Sequence, residues 1–164
     1  MKKLITATTC GMLLSGAVAA EGYGGISYGA LETEFGSRDF DTPTLNLALG
    51  NVFNPNFALE GRLGFGVDDD TDRGINAEID DYFAIYAKPM LPLSDVLTLY
   101  GLLGVAETTL DTNVGDDDDD DISYGFGLSA KTRQGFDLFA EYISLYDDDN
   151  VEISGFNLGA NMRF

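Results

Sequence analysis

Seven ionisable residues stand where charge is unexpected. Glu60 and Arg62 lie inside the otherwise apolar-alternating stretch FALEGRLGFGV, Lys88, Lys131, Asp137 and Glu141 lie in three similar stretches, and Arg163 precedes the final Phe164. Groups at such positions can pair into a buried network that fixes neighbouring segments in register, or exchange partners and let an ion or small solute pass. Covalent chemistry is poorly provided for. A serine nucleophile generally needs a histidine base beside it, oriented by a third group. The chain has no histidine, and Ser123, Ser129 and Ser144 have no obvious base. A non-enzymatic protein is therefore expected, with no catalytic residue and no cofactor.

The second concentration of chemistry is acidic. In DDDTDRG, residues Asp68, Asp70 and Asp72 alternate as the first three ligands of an EF-hand calcium loop do. The rest of that loop fails. Arg73 stands where a glycine must turn the chain, and Ile79 where a bidentate glutamate should close the site. These aspartates are thus weak calcium candidates, and diffuse condensation of divalent ions is the expectation.

Residues 1–20 look like an export signal. Lys2 and Lys3 precede an apolar run from Leu4 to Val18, with small residues Ala17, Ala19 and Ala20 at its end. The run is too short for a transmembrane helix, and cleavage is expected after Ala19 or Ala20. Cys10 would leave with it, so no disulfide or thiol site is expected. Residues 21–164 suffice for one domain. They carry Arg38, Arg62, Arg73, Lys88, Lys131, Arg133 and Arg163 against 28 acids, a net charge of −21, which makes nucleic acid an implausible partner.

What positions the charges is a period of two. Phe57, Leu59, Leu63, Phe65 and Val67 fall on one face of a strand, with Ala58, Glu60, Arg62, Gly64 and Gly66 on the other. The same template fits eight segments, near Tyr23–Glu34, Thr44–Val52, Phe57–Val67, Asp81–Pro89, Val96–Glu107, Ile122–Lys131, Phe136–Tyr146 and Val151–Phe164. Their connections alternate in character. FNPN, MLPLSD and TRQG are short and rich in turn formers, whereas FGSRDFDTP, DDDTDRGINAEI, TLDTNVGDDDDDD and DDDN are longer or acidic. In an antiparallel meander the short turns share one rim and the acidic connections the other.

One face of these strands carries no charge; Ile26, Leu47, Phe83, Leu103, Phe126 and Met162 represent it. The other carries the seven charges with Ser27, Asn46, Tyr86, Tyr100, Ser123, Asn157 and Asn161, and many glycines. Phe139, Ile143 and Leu145 break the pattern on that polar face. The polar face is too poor in mid-strand charge for a solvated exterior, and its glycines suit a crowded interior. An apolar exterior around a polar, filled lumen is the membrane-barrel pattern. An exported chain without a long apolar helix can cross lipid only as a closed sheet, because every backbone polar group must be paired internally.

Over residues 21–164 the sequence resembles the eight-stranded OmpA/OmpX-type outer-membrane barrels of Gram-negative cells. The sharpest element is NLGANMRF, in which Asn157, Gly159, Met162 and Phe164 match the family's C-terminal assembly signal; YGLLGVA after KPMLPLSD is similar to segments of small porin-family barrels. The resemblance implies an all-β, up-and-down transmembrane barrel, with lipopolysaccharide, periplasmic chaperones and the barrel-assembly machinery as partners. It implies no cell-wall anchoring, since the peptidoglycan-binding domain of some members is absent. The expected function is structural or interactive at the cell surface, by a monomer with an acidic loop rim. A narrow cation-preferring pore is the alternative.

Overall fold

The computed structural model describes residues 21–35, 38–67, 78–112, 115–148 and 151–164; the expected export signal and the calcium candidates Asp68, Asp70 and Asp72 lie outside them. The described residues form eight strands: β1 (Glu21–Phe35), β2 (Arg38–Asn54), β3 (Phe57–Gly66), β4 (Glu78–Pro92), β5 (Leu97–Thr112), β6 (Gly115–Lys131), β7 (Phe136–Asp148) and β8 (Val151–Arg163). Each pairs antiparallel with its neighbours in sequence, and β8 pairs with β1 to close the barrel. Closure leaves no free edge, as lipid demands. None of the described residues forms a helix long and apolar enough to cross a membrane.

Period two decides which side of the wall each residue takes. Along β3, Ala58, Glu60, Arg62 and Gly64 are buried while Phe57, Leu63 and Phe65 are exposed. Exposed large aliphatic and aromatic side chains cover the other strands too, among them Ile26, Leu47, Leu103, Phe126, Leu158 and Met162. A tilted strand of this length presents an apolar band about 25 Å tall, the thickness that outer-membrane barrels offer to lipid.

The short turns follow from their residues. Gly135 adopts φ +91°, a conformation that favours glycine, and the Thr132 backbone N–H reaches the Phe136 carbonyl at 2.9 Å. Asn54 accepts the Asn56 backbone N–H at 2.9 Å, and the Ser94 hydroxyl accepts that of Leu97 at 3.0 Å. Three such turns share one rim with residues Glu21 and Phe164.

At the other rim the strands run further than composition suggests. The stretches FGSRDFDTP, TLDTNVGDDDDDD and DDDN, which read as connections, are largely strand: β1 and β2 pair as far as Phe35↔Arg38, β5 and β6 as far as Thr112↔Gly115, and β7 and β8 as far as Asp148↔Val151. Asp116–Asp121 thus lie in β6, opposite residues 106–111 of β5. Aspartate is depleted in strands, so its presence argued for loop. The ladder, already in register below, carries it into extended backbone.

Candidate functional site: the filled lumen

Eight strands leave an interior that side chains can fill, and the register shows how this one is filled. One inward row runs Arg163–Tyr23–Gly50–Glu60–Tyr86–Gly104–Ser123 across consecutive strands. The next runs Asp137–Asn161–Gly25–Ala48–Arg62–Ala84–Ala106. Large side chains stand beside small ones. A Cβ at Gly50 or Gly64 would run into the ring of Tyr23 or Tyr82, so those glycines make the room the aromatic rings occupy. Arg62 extends between Ala48 and Ala84, with nothing to block it on either side.

In the half of the lumen toward the short turns lies a four-charge cluster. The Arg62 guanidinium donates through Nη1 to Glu141 Oε1 and through Nη2 to Glu60 Oε1. Lys88 Nζ donates to Glu60 Oε2 at 2.7 Å and lies 4.2 Å from the centre of the Tyr100 ring. Two carboxylates and two cations leave the cluster neutral. Their remaining acceptor sites are taken as well: Tyr23 donates to Glu60 Oε2 at 2.6 Å, Tyr100 to Glu141 Oε2 at 2.9 Å, and Asn157 Nδ2 to Glu141 Oε1 at 3.0 Å. Arg62, Glu60 and Glu141 are each at most 2% exposed. Ions so far from water persist only when paired and extensively hydrogen-bonded, and of the cluster's described polar atoms only Arg62 Nε has no partner.

Beside the cluster an amide layer continues the network. Tyr82 donates to Asn46 Oδ1 at 2.8 Å, and Asn46 Nδ2 reaches both Ser27 Oγ and Asn157 Oδ1 at 3.3 Å. Ser123 donates to the Ser144 carbonyl at 2.7 Å, so its contact with the Tyr86 hydroxyl, at 2.9 Å, has the tyrosine as donor. Ser123 is thereby committed on both sides.

The half of the lumen toward the longer connections is apolar. Leu31, Ile143, Leu145 and Ile153, each at most 1% exposed, pack with Tyr82, Ala84, Leu102 and Ala106. Leu145 has the parity of Glu141 and Ile143 and is buried with them; the β7–β8 register breaks beside it, between Ser144 and Tyr146. Of the three residues anomalous on a polar face, Ile143 and Leu145 belong to this plug, whereas Phe139, two residues nearer the short turn than Glu141, is buried against Gly159 on the short-turn side. The lumen is thus filled in two parts, charged toward the short turns and dry toward the other rim.

Three of the seven charged residues stand apart from the cluster. Arg163 donates to Asp137 Oδ2 at 2.6 and 2.9 Å and to Glu21 at 3.3 Å, a half-exposed group at the short-turn rim. Lys131 is exposed, and among the described residues it has no ion-pair partner; Asp137, opposite it in the β6–β7 ladder, turns to Arg163. Of NLGANMRF, Asn157 and Gly159 face inward, the latter against Phe139, whereas Met162 and Phe164 point outward. The Phe164 backbone N–H donates to the Gly22 carbonyl at 2.9 Å, extending the seam by one residue.

Residues 5–164 match a family model, that of the outer membrane protein beta-barrel domain, in keeping with this closed antiparallel barrel. The chain belongs to that family. Solved structures agree in fold. The barrel is similar to Ail, the attachment invasion locus protein of Yersinia pestis, with TM-score 0.65 and 22% identity over 88% of this chain and 99% of that one. It is similar to the N-terminal barrel domain of Pseudomonas aeruginosa OprF, with TM-score 0.62 and 14% identity over 88% and 99% of the two chains. Neisserial surface protein A matches with TM-score 0.60 and 13% identity over 87% and 97%. No curated protein matches the chain.

Membership in the family places the apolar band in the outer membrane, and barrels of this kind turn their short connections to the periplasm. The charged cluster therefore lies in the periplasmic half and the apolar plug in the outer half. Tyr23, Tyr82, Leu31, Leu102 and Ile153 also line the lumen, beyond the inward residues that charge and polarity marked in the sequence. Each has the same parity as a recognised inward neighbour in its strand, a signal that was present.

Proposed function

We propose that this outer-membrane barrel is closed, monomeric and non-enzymatic, and that it acts through what it presents at the cell surface. The observation that supports this reading best is the apolar plug above a neutralised ion cluster. A hydrated ion that has passed the acidic outer rim must cross the layer of Leu31, Ile143, Leu145 and Ile153 before it reaches the cluster of Arg62, Glu60 and Glu141. Moving ions through so dry a layer is costly. In planar bilayers the purified protein should therefore show no discrete conductance steps. Regular cation-preferring steps, diminished by Arg62→Ala, would establish the narrow pore instead.

The outer rim sets the kind of partner. Ail has been crystallised with a heparin analogue, sucrose octasulfate. A polyanion is a poor fit here, where the strands end in Glu32, Glu34, Asp39, Asp41, Glu107, Asp111, Asp116–Asp121, Asp147 and Asp148. Lipopolysaccharide phosphates bridged by divalent ions suit this rim better, with cationic surfaces as further partners. Biogenesis would use periplasmic chaperones and the barrel-assembly machinery, after removal of residues 1–20 as a signal peptide. Native mass spectrometry of protein extracted from the outer membrane tests these points together. The expected spectrum is a monomer beginning at Ala20 or Glu21, with lipopolysaccharide adducts that chelation of divalent ions removes. A chain retaining residues 1–20, a dimer, or adducts indifferent to chelation would each refute the corresponding part.

A further inference from the structure

The outer wall of the barrel is not uniformly convex. Where β1 meets β2 and β8, a depression of about 600 Å³ opens on the lipid side. Its floor is made of residues too small to cover the backbone, notably Gly22, Gly24, Gly61 and Ala160, and its walls are larger apolar side chains such as Leu49 and Phe164. An ideal Cβ on Gly24 would lie 3.6 Å from Leu49 Cδ2 and 3.8 Å from Phe164 Cε1, ordinary contact distances with space beyond. The groove runs from the periplasmic end, at Phe164 and Phe136, to mid-membrane at Leu47 and Leu63.

Something apolar must fill a depression inside the hydrocarbon layer, because a void forfeits the dispersion contacts of its lining. A second copy is a poor candidate. Two barrels in one membrane insert in the same orientation, so their acidic outer rims would be brought side by side, on a chain of net charge −19 before any processing. The periplasmic end, by contrast, offers cations free to meet a phosphate: Arg163 engages Glu21 and Asp137, while the turn leading into Phe136 holds exposed Lys131 and Arg133. A hydrocarbon chain in the groove with its phosphate toward this turn satisfies both features.

We propose that this groove is a binding site for an acyl chain of a periplasmic-leaflet phospholipid, held more tightly than the lipid around the rest of the barrel. A chain lodged there touches wall on three sides, where the convex wall offers one.

The chain contains no tryptophan, so introduced ones report locally. Leu49→Trp places the reporter in the groove wall, and Leu103→Trp places one on exposed β5, across the barrel. Folded protein in detergent micelles is titrated with phosphatidylglycerol brominated on its acyl chains. Fluorescence of Leu49→Trp should be quenched saturably at about tenfold less lipid than Leu103→Trp requires, equivalent to about 1.4 kcal/mol of preference. Adding Gly24→Leu to Leu49→Trp should return its curve to that of Leu103→Trp, since the new side chain fills the groove without colliding with the backbone. Superimposable curves for the two reporters would overturn the proposal whether or not the Gly24→Leu protein folds. So would a Leu49→Trp signal that lipid leaves unchanged while light scattering shows two barrels per micelle.

Discussion

An Arg62→Ala barrel is expected to lose about 3–5 kcal/mol of stability, the cost of leaving a buried charge without its partner. Glu60 would keep Lys88 and the Tyr23 hydroxyl, but Glu141 would keep only Tyr100 and Asn157, neither of them cationic. The cluster passes from neutral to net negative in a site almost closed to water. A urea titration in lipid vesicles, read by the different gel migration of folded and unfolded barrel, would show the midpoint fall. Pairing Arg62→Met with Glu141→Gln should recover much of the loss, because Glu60 and Lys88 then remain as a balanced pair. Replacing a buried ion pair by groups of similar volume is often close to neutral, whereas halving it is not. Two outcomes would sink this account. One is an unchanged midpoint for Arg62→Ala; the other is a double variant whose loss equals the sum of the single ones, meaning no coupling between the residues.

That cluster shows where sequence reading succeeds and where it ends. Parity within a strand assigns each residue to lipid or lumen, and a charge in an apolar-alternating stretch is marked at once as inward. Which charges meet is another matter. Arg62 and Glu141 are 79 residues apart, and they touch because the stagger of eight strands brings β3 and β7 to one level across the lumen. No local pattern encodes that stagger. The same holds for Lys131, whose parity is that of the cluster but whose place at the end of β6 leaves it in solvent. At the outer rim the failure is of another kind. Aspartate disfavours strands, so composition argued for loops, while the pairing partner that makes Asp116–Asp121 a strand lies in β5. The lipid-side groove was invisible for the first reason: its small residues are spread over three strands and gather only when the barrel closes.

Phe164→Ala should reduce the amount of barrel assembled in the outer membrane on the order of tenfold while costing the assembled barrel little more than any other lipid-facing ring would. Phe164 is 72% exposed, and its ring rests chiefly over Gly22, which has no side chain to interlock with it. Its contribution to the finished barrel is therefore apolar transfer of one side chain, at most about 1.5–3 kcal/mol. Phe126, 63% exposed on β6 and remote from the seam, provides the control. Phe126→Ala removes the same ring from the same solvent and gives up a Tyr142 neighbour besides, with ring centres 6.0 Å apart. If Phe164 mattered only as apolar surface, the two variants would assemble equally. If NLGANMRF is read by the assembly machinery, Phe164→Ala alone should fail, and Phe164→Tyr should restore it. The seam gives a physical reason for reading this strand in particular. β8 closes the barrel against β1, and until it does, both strands keep an unpaired edge that lipid cannot satisfy. Equal surface levels of the Phe164→Ala and Phe126→Ala proteins, with equal unfolding midpoints, would reduce NLGANMRF to an ordinary eighth strand.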